Sequence, residues 1–179
     1  MNKAEVIVVN EVDEVVGYMD KMEAHKLGIL HRAISVFIID SNANWLLQQR
    51  AEHKYHSGLL WSNAACTHPM KGESNVEAAN RRLFEEMGIR TSLVKIFSIQ
   101  YETVLDNGLI ENEFDHIYIG YSDDLPVIDP SEVAAFKYIS VAEIKRELNG
   151  HSQRFTPWFH LLFEQVVKGV LVDSPIQKG

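Results

Sequence analysis

Only one of the 179 residues is cysteine, Cys66, so no disulfide can close within the chain and a reducing compartment suits it. No apolar run reaches the roughly 18 residues that a membrane-spanning helix needs, and the start of the chain, Met1 to Glu5, lacks the apolar stretch of a signal peptide. Basic residues are in deficit, 17 Lys and Arg against 25 Asp and Glu, and a formal net charge of -8 argues against a nucleic-acid-binding surface while leaving room for a local basic pocket. Internal repeats, low-complexity tracts and linker-like segments are missing too. The expectation is one domain over residues 1–179, with a loose tail from about residue 173, in a cytoplasmic, soluble protein. With 46% apolar residues the chain can build a core and is not a disordered segment.

What is present is concentrated. Trp61-Ser62-Asn63-Ala64-Ala65-Cys66-Thr67-His68-Pro69 places a thiol, an imidazole and small residues side by side, and Met70-Lys71-Gly72-Glu73-Ser74 leads from it into a helix. That helix, Ser74 to Met87, has a capping box in Ser74 and Glu77, an apolar stripe through Val76, Ala79 or Asn80, Leu83 and Met87, and Gly88 as its stop. Arg82 and Glu86 are four apart and share a face. Val6 to Val9 and Val15 to Tyr18 read as a hairpin, and Asp20 to Gly28 as a short helix. Ala33 to Ile39 is a near-continuous apolar run, a central strand, with Trp45 to Arg50 as its partner across an Asp-Ser-Asn-Ala-Asn turn. Leu93 to Tyr101 and Ile110 to Ile119 are strands about the turn at 105–109. Phe136 to Ile139 is a last strand, Ser140 with Glu143 caps a helix to Leu148, and Thr156-Pro157 opens another.

Alternation along the strand from Ile110 sends Glu111 and Glu113 to one side and Asn112 to the other. Two carboxylates on one face repel, and a cation relieves that. With His25, His31 and His68 they are the available hard ligands for a divalent ion such as manganese, magnesium or zinc; the plain alternative is a solvated strand face. His25 and His31 lie on either side of the Gly28 break, so a shared role requires the loop to fold back. Cys66 is either a small buried hydrophobe or, beside His68, a proton-transferring or nucleophilic thiol. Trp158 is core, or an aromatic face for a cation. Arg50, Lys54, Lys71, Arg81 and Arg82 are ordinary surface charge or a phosphate clamp.

The stretch Glu73 to Ile89 resembles a Nudix box, with Glu73, Glu85 and Glu86 in place, Thr67 where the family has its leading glycine, and Arg82 where pyrophosphohydrolases have a metal-binding carboxylate. The flanking pieces resemble one branch, type I isopentenyl-diphosphate Δ-isomerase. They are His25, Leu30-His31-Arg32-Ala33, Gln49-Arg50-Ala51, Lys54-Tyr55-His56-Ser57, Trp61-Ser62-Asn63, Cys66-Thr67-His68-Pro69, Gly72-Glu73-Ser74, Arg82, Tyr101, Glu111-Asn112-Glu113 and Thr156-Pro157-Trp158, spanning about residues 4 to 165. Two departures stand out: the glycine before Trp61 is displaced to Gly58, ahead of Leu59-Leu60, and Ala65 precedes the cysteine.

The resemblance implies an α/β/α sandwich with a mixed central sheet, and the isomerisation of isopentenyl to dimethylallyl diphosphate through a tertiary carbocation. It implies that His25, His31, His68, Glu111 and Glu113 hold one divalent metal, Mn2+, Zn2+ or Mg2+, and that Glu86 helps bind a Mg2+ riding on the substrate diphosphate. Arg50, Lys54 and Arg82 would contact that diphosphate. Cys66 and Glu113, the latter near Tyr101, would face each other across the five-carbon chain, with Trp158 against the tertiary carbon. The implied partner is a small isoprenoid diphosphate, with no nucleic acid or membrane, and the protein a monomer or weak homodimer. The competing readings are a Nudix pyrophosphohydrolase using Glu85 and Glu86, and an idle Nudix-like binding domain.

Overall fold

The computed structural model describes residues 4–105 and 107–173. β1 (Glu5–Val9) and β2 (Val15–Asp20) form the expected hairpin. Its turn is closed by Asn10, whose Oδ1 accepts from the amides of Val12 and Glu14. α1 (Lys21–Leu27) starts on Asp20, whose side chain accepts from the Glu23 amide, and ends at Gly28, where φ is 64°. That left-handed turn reverses the chain into β3 (His31–Ile39).

β3 is the axis of a nine-stranded mixed sheet. β8 (Ile110–Tyr121) runs parallel to it along one edge, in register from His31 opposite Glu113 to Ile39 opposite Tyr121. The other edge is shared by β1 at His31, by β6 (Ala65–Thr67) at residues 34–36, and by β4 (Asn44–Arg50) only at Ile39. β7 (Val94–Val104) lies antiparallel to β8. The expected pairing of β4 with β3 is present but is confined to Ile39 and Trp45. β4 diverges after the turn and pairs along its length with β9 (Val133–Ser140), and at its end with β5 (Trp61–Ser62).

From Ala33 on, β3 is nearly continuous apolar sequence, broken only by Ser35, because it is covered on both faces. Ile34, Val36 and Ile38 pack toward α2 (Asn75–Met87) with Ala78, Ala79, Leu83 and Met87. Phe37 and Ile39 face the other way, onto Phe159, Leu162, Phe163 and Val166 of α4 (Pro157–Asp173). α3 (Val141–Gly150) adds Ile144 to the second core. This is the expected α/β/α sandwich. The capping box Ser74–Glu77 is present, as is a second at Ser140–Glu143. Val76 is a correction: it is exposed, and the buried stripe of α2 runs through Ala78, Ala79, Leu83, Glu86 and Met87. α4 continues to Asp173, and the tail expected beyond it falls outside the described residues. Among the described residues no helix is long and apolar enough to cross a membrane.

Candidate active site

Residues directly opposite one another in a sheet present their side chains on the same face. His31 pairs with Glu113, Glu113 with Tyr101, Glu111 with Thr103, and Ser35 with Cys66. One face of β6, β3, β8 and β7 thus carries Cys66, Ser35, His31, Glu111, Glu113 and Tyr101. The thiol stands on one flank of β3 and the carboxylate on the other.

Two more histidines arrive from outside the sheet. Gly28 folds the end of α1 back so that His25 reaches its neighbours, and His68 follows directly after β6. The ligand atoms of His25, His31, His68, Glu111 and Glu113 all lie within 4.8 Å of one another. Asn112, sent the other way by the pleat, donates to Gly28 O at 2.9 Å and pins the turn that makes this possible. The loop does fold back: the His25 and His31 rings are 4.8 Å apart.

The chemistry of this cluster fits a cation. His25 Nδ1 and His31 Nδ1 donate to the carbonyl oxygens of Lys21 (2.6 Å) and Ile29 (2.7 Å), which directs their Nε2 atoms inward. His31 Nε2 and His68 Nε2 are 3.2 Å apart, and His68 Nε2 is 2.9 Å from Glu113 Oε1. His25 Nε2 and Glu111 Oε2 approach to 3.0 Å, yet both are buried without a hydrogen bond. Burial holds His68 well below the usual imidazole range. At His25 burial acts in the same sense, but the Glu111 carboxylate outweighs it and the pKa is raised. Converging imidazole nitrogens and two buried carboxylates, with polar atoms left unpaired, match a divalent ion.

Beside the cluster opens a cavity of about 840 Å³ whose lining includes Cys66, His68, Tyr101, Glu111, Glu113 and Trp158 together with Arg50, Lys54, Arg82 and Glu86. His25 and His31 stand behind its wall, fully buried. Tyr101 Oη donates to Glu113 Oε2 in a short hydrogen bond. Burial works against charge on Glu113, but contacts with His31 and Tyr101 prevail and its pKa is lowered. Cys66 Sγ donates to Asn63 Oδ1 at 3.2 Å and lies 3.7 Å from Ser35 Oγ. The Asn63 amide is fixed, since its Nδ2 donates to Val36 O and Ala65 O. Burial, reinforced by Asp115 and Glu86, pushes the Cys66 thiol up to about 12. Trp158 enters from the first turn of α4, and its Nε1 donates to Ser62 Oγ at 2.9 Å. The Arg50 guanidinium lies 5.3 Å from the Trp158 ring, and Arg50 Nε is buried without a partner.

The cations expected as a clamp divide. Arg81 grips Glu73 with two parallel hydrogen bonds of 2.7 and 2.9 Å, and Glu73 also accepts from the Met70 amide, so this pair braces the loop after His68. Lys71 sits 4.8 Å over the Tyr18 ring. Arg82 pairs with Glu86 at 2.7 Å, whose other oxygen accepts from Gln48 at 2.7 Å. Lys21, Tyr55 and Glu132 also line the cavity; Tyr55 was among the residues of the resemblance but without a role, and Lys21 and Glu132 were not foreseen. Sequence reasoning also gave no role to His56, whose Nε2 is 3.3 Å from Glu111 Oε1. For Lys21 a signal was available, since it stands one helical turn before His25.

Residues 29–159 match the NUDIX domain family. The isopentenyl-diphosphate Delta-isomerase of Pectobacterium atrosepticum is 50% identical over 166 residues, covering 93% of each chain. Isopentenyl-diphosphate Delta-isomerase 2 of Aromatoleum aromaticum is 44% identical over 163 residues, 91% of this chain and 86% of that one. Among solved structures, DR0079 from Deinococcus radiodurans superposes with a TM-score of 0.68 at 19% identity, covering 82% of this chain and 90% of that one. The MutT protein from Methanosarcina mazei superposes with a TM-score of 0.63 at 16% identity, covering 78% and 94%; these two likenesses speak for the fold. The box helix, the histidine and glutamate cluster beside Cys66, and these relatives together place the chain in the NUDIX superfamily and, within it, among the type I isopentenyl-diphosphate Δ-isomerases.

Proposed function

We propose that the protein interconverts isopentenyl and dimethylallyl diphosphate by adding a proton at one carbon and removing one at another. The observation that carries this reading is the single cavity walled by Cys66 on one flank of β3 and by the Tyr101–Glu113 pair on the other. In the isopentenyl direction Glu113, with Tyr101, passes a proton to the terminal alkene carbon, leaving a tertiary cation. Cys66 as thiolate then removes a proton from the neighbouring methylene on the other side. The roles exchange in reverse.

The two groups share one proton count. The site holds a thiol pushed up to about 12 by burial and a carboxylate held low by His31 and Tyr101. A protonated sulfur opposite an ionised Glu113 is the state that one isopentenyl turnover leaves behind and from which the dimethylallyl direction starts. Return to the other state exchanges protons with solvent. Trp158 supplies an aromatic face to the cation, worth about 2 kcal/mol when desolvated, and its hydrogen bond to Ser62 fixes the ring. That is a small part of an enzyme's acceleration, so orientation and proton transfer provide the rest.

His25, His31, His68, Glu111 and Glu113 would hold one divalent ion, manganese or zinc, whose chemistry is to offset the charge of the two buried glutamates. Arg50, Lys54 and Arg82, with Lys21, would supply cations for the diphosphate, and Glu86 would help hold the magnesium that accompanies it. A central thiol that oxidation would consume suits the cytoplasm. Replacing Cys66 with alanine and supplying metal tests the reading. Conversion should drop by about 10²–10⁴-fold, the usual contribution of a general acid or base; a rate near that of the unsubstituted protein would overturn it.

A further inference from the structure

Lys54, in the loop after β4, and Arg82, on α2, both turn onto one oxygen that the proposed reaction does not use. Glu132 Oε2 accepts from Lys54 Nζ at 2.5 Å and from Arg82 Nη2 at a shorter distance. Both cations and the carboxylate line the cavity. The carboxylate is not on a free loop. The Ala51 amide donates to Glu132 O at 2.9 Å, tying this segment to the stretch that carries Lys54. The amides of Val127 and Asp129 donate to Met87 O (2.8 Å) and Glu86 O (3.1 Å), tying it to the end of α2, the helix that carries Arg82. Glu132 is therefore set by backbone hydrogen bonds at the junction of the two elements whose cations it joins.

Two cations brought to one point repel unless an anion stands between them. A carboxylate with both on one oxygen holds them together and still leaves donors over, because an ammonium has three and a guanidinium five. We propose that Glu132 is a positioning residue of the diphosphate site: it sets the Lys54 ammonium and the Arg82 guanidinium side by side, so that both meet the same phosphoryl group of the substrate. This rests on the isomerase reading for its substrate, but the contact itself is with phosphate oxygens. The geometry also permits an opposite role, in which the carboxylate occupies the anion's place and must be pushed aside.

Inorganic pyrophosphate with magnesium separates these roles. It would be titrated calorimetrically into the metal-loaded protein, into Glu132→Gln, Glu132→Ala and Lys54→Met, and into the Lys54→Met/Glu132→Ala double variant. Steady-state constants for isopentenyl diphosphate would be measured alongside. A positioning role predicts that pyrophosphate binds about tenfold more weakly to Glu132→Ala, about 1.4 kcal/mol, and less weakly to Glu132→Gln, which keeps an acceptor oxygen. KM should rise in parallel while kcat holds within about twofold. The loss should shrink when Lys54 is already gone. Unchanged or tighter pyrophosphate binding would overturn the proposal, as would a fall in kcat at constant KM, or the same loss with and without Lys54. Should the unsubstituted protein show no isomerase turnover while the pyrophosphate results follow the prediction, the reaction reading fails and the clamp stands. If the alanine variant does not fold, the near-isosteric glutamine variant is decisive on the same measurements.

Discussion

Cys66 and Trp158 each had two readings in the sequence, and both residues pack on the core while lining the cavity. Cys66 lies on a strand edge between Ser35 and Asn63, lining the cavity. A thiol pushed up to about 12 is almost wholly protonated at neutral pH, and only the thiolate alkylates. In chelator-treated protein, iodoacetamide labelling of Cys66 followed by mass spectrometry should therefore keep rising with pH through 7 to 9.5. The rate should rise about tenfold per pH unit up to 9.5; a curve that bends over near pH 8.5 would mean an ordinary thiol, and a plateau already below about pH 8 an activated one. Trp158→Phe retains an aromatic face but loses the hydrogen bond to Ser62, so kcat should fall modestly; Trp158→Leu loses the face as well. If the face contributes about 2 kcal/mol, the leucine variant should be some 30-fold slower than the unsubstituted protein, and equal kcat values for Trp158→Phe and Trp158→Leu would remove Trp158 from the chemistry. The Glu111/Glu113 pair was legible because strand alternation is a local rule. Glu132 was not, since its partner Arg82 is 50 residues away and nothing local links them.

At the scale of elements, the site depends on register. A one-residue slip sends every side chain of a strand to the other face. Inserting a single glycine between Glu113 and Phe114 should leave Glu113 opposite a different partner or displace the remainder of β8 against β3. Isomerase activity should vanish and the metal dependence of thermal stability with it; retained activity would show that the β3–β8 pairing does not set the site. The displaced glycine before Trp61 has a physical reason. A Cβ on Gly58 would meet Glu52 O at 2.5 Å, and its neighbours Ser57 and Leu59 have φ of 51° and 62°. The loop that carries Lys54 is thus closed tightly at Gly58. Gly58→Ala should lower stability by about 1–3 kcal/mol and raise KM, measured by denaturant unfolding and steady-state assay. α2 was legible through its capping box and stop glycine. β5 and β6 were not, at two and three residues, because such short strands exist only through the neighbours they pair with. The extent of the β4 pairing was hidden for the same reason: the turn to β3 is local, but β9, its longer partner, is not.

For the whole molecule, the layering was expected from the family resemblance, and the packing supplies its physical reason. An apolar β3 flanked by an amphipathic α2 and an apolar α4 has few ways to cover both of its faces. What binds the site to the fold is the buried cluster, where three histidines from α1, β3 and the stretch after β6 meet two glutamates of β8. An ion that binds only this folded arrangement stabilises it by mass action. At 100-fold above Kd, manganese or zinc added to chelator-treated protein should raise the midpoint of thermal unfolding by about 5–10 °C. The rise should be absent in His25→Ala; an equal rise in that variant would place the ion elsewhere. The central claim is that protons are exchanged with two groups on opposite flanks of β3, and the isotope content of the product tests it most directly. A single turnover of isopentenyl diphosphate in deuterium oxide, with metal supplied and the product read by NMR, should give dimethylallyl diphosphate carrying one deuterium in a methyl group and none at the new alkene carbon. A product free of deuterium would mean that hydrogen moves within the substrate, and the account of Cys66 and Glu113 would be wrong.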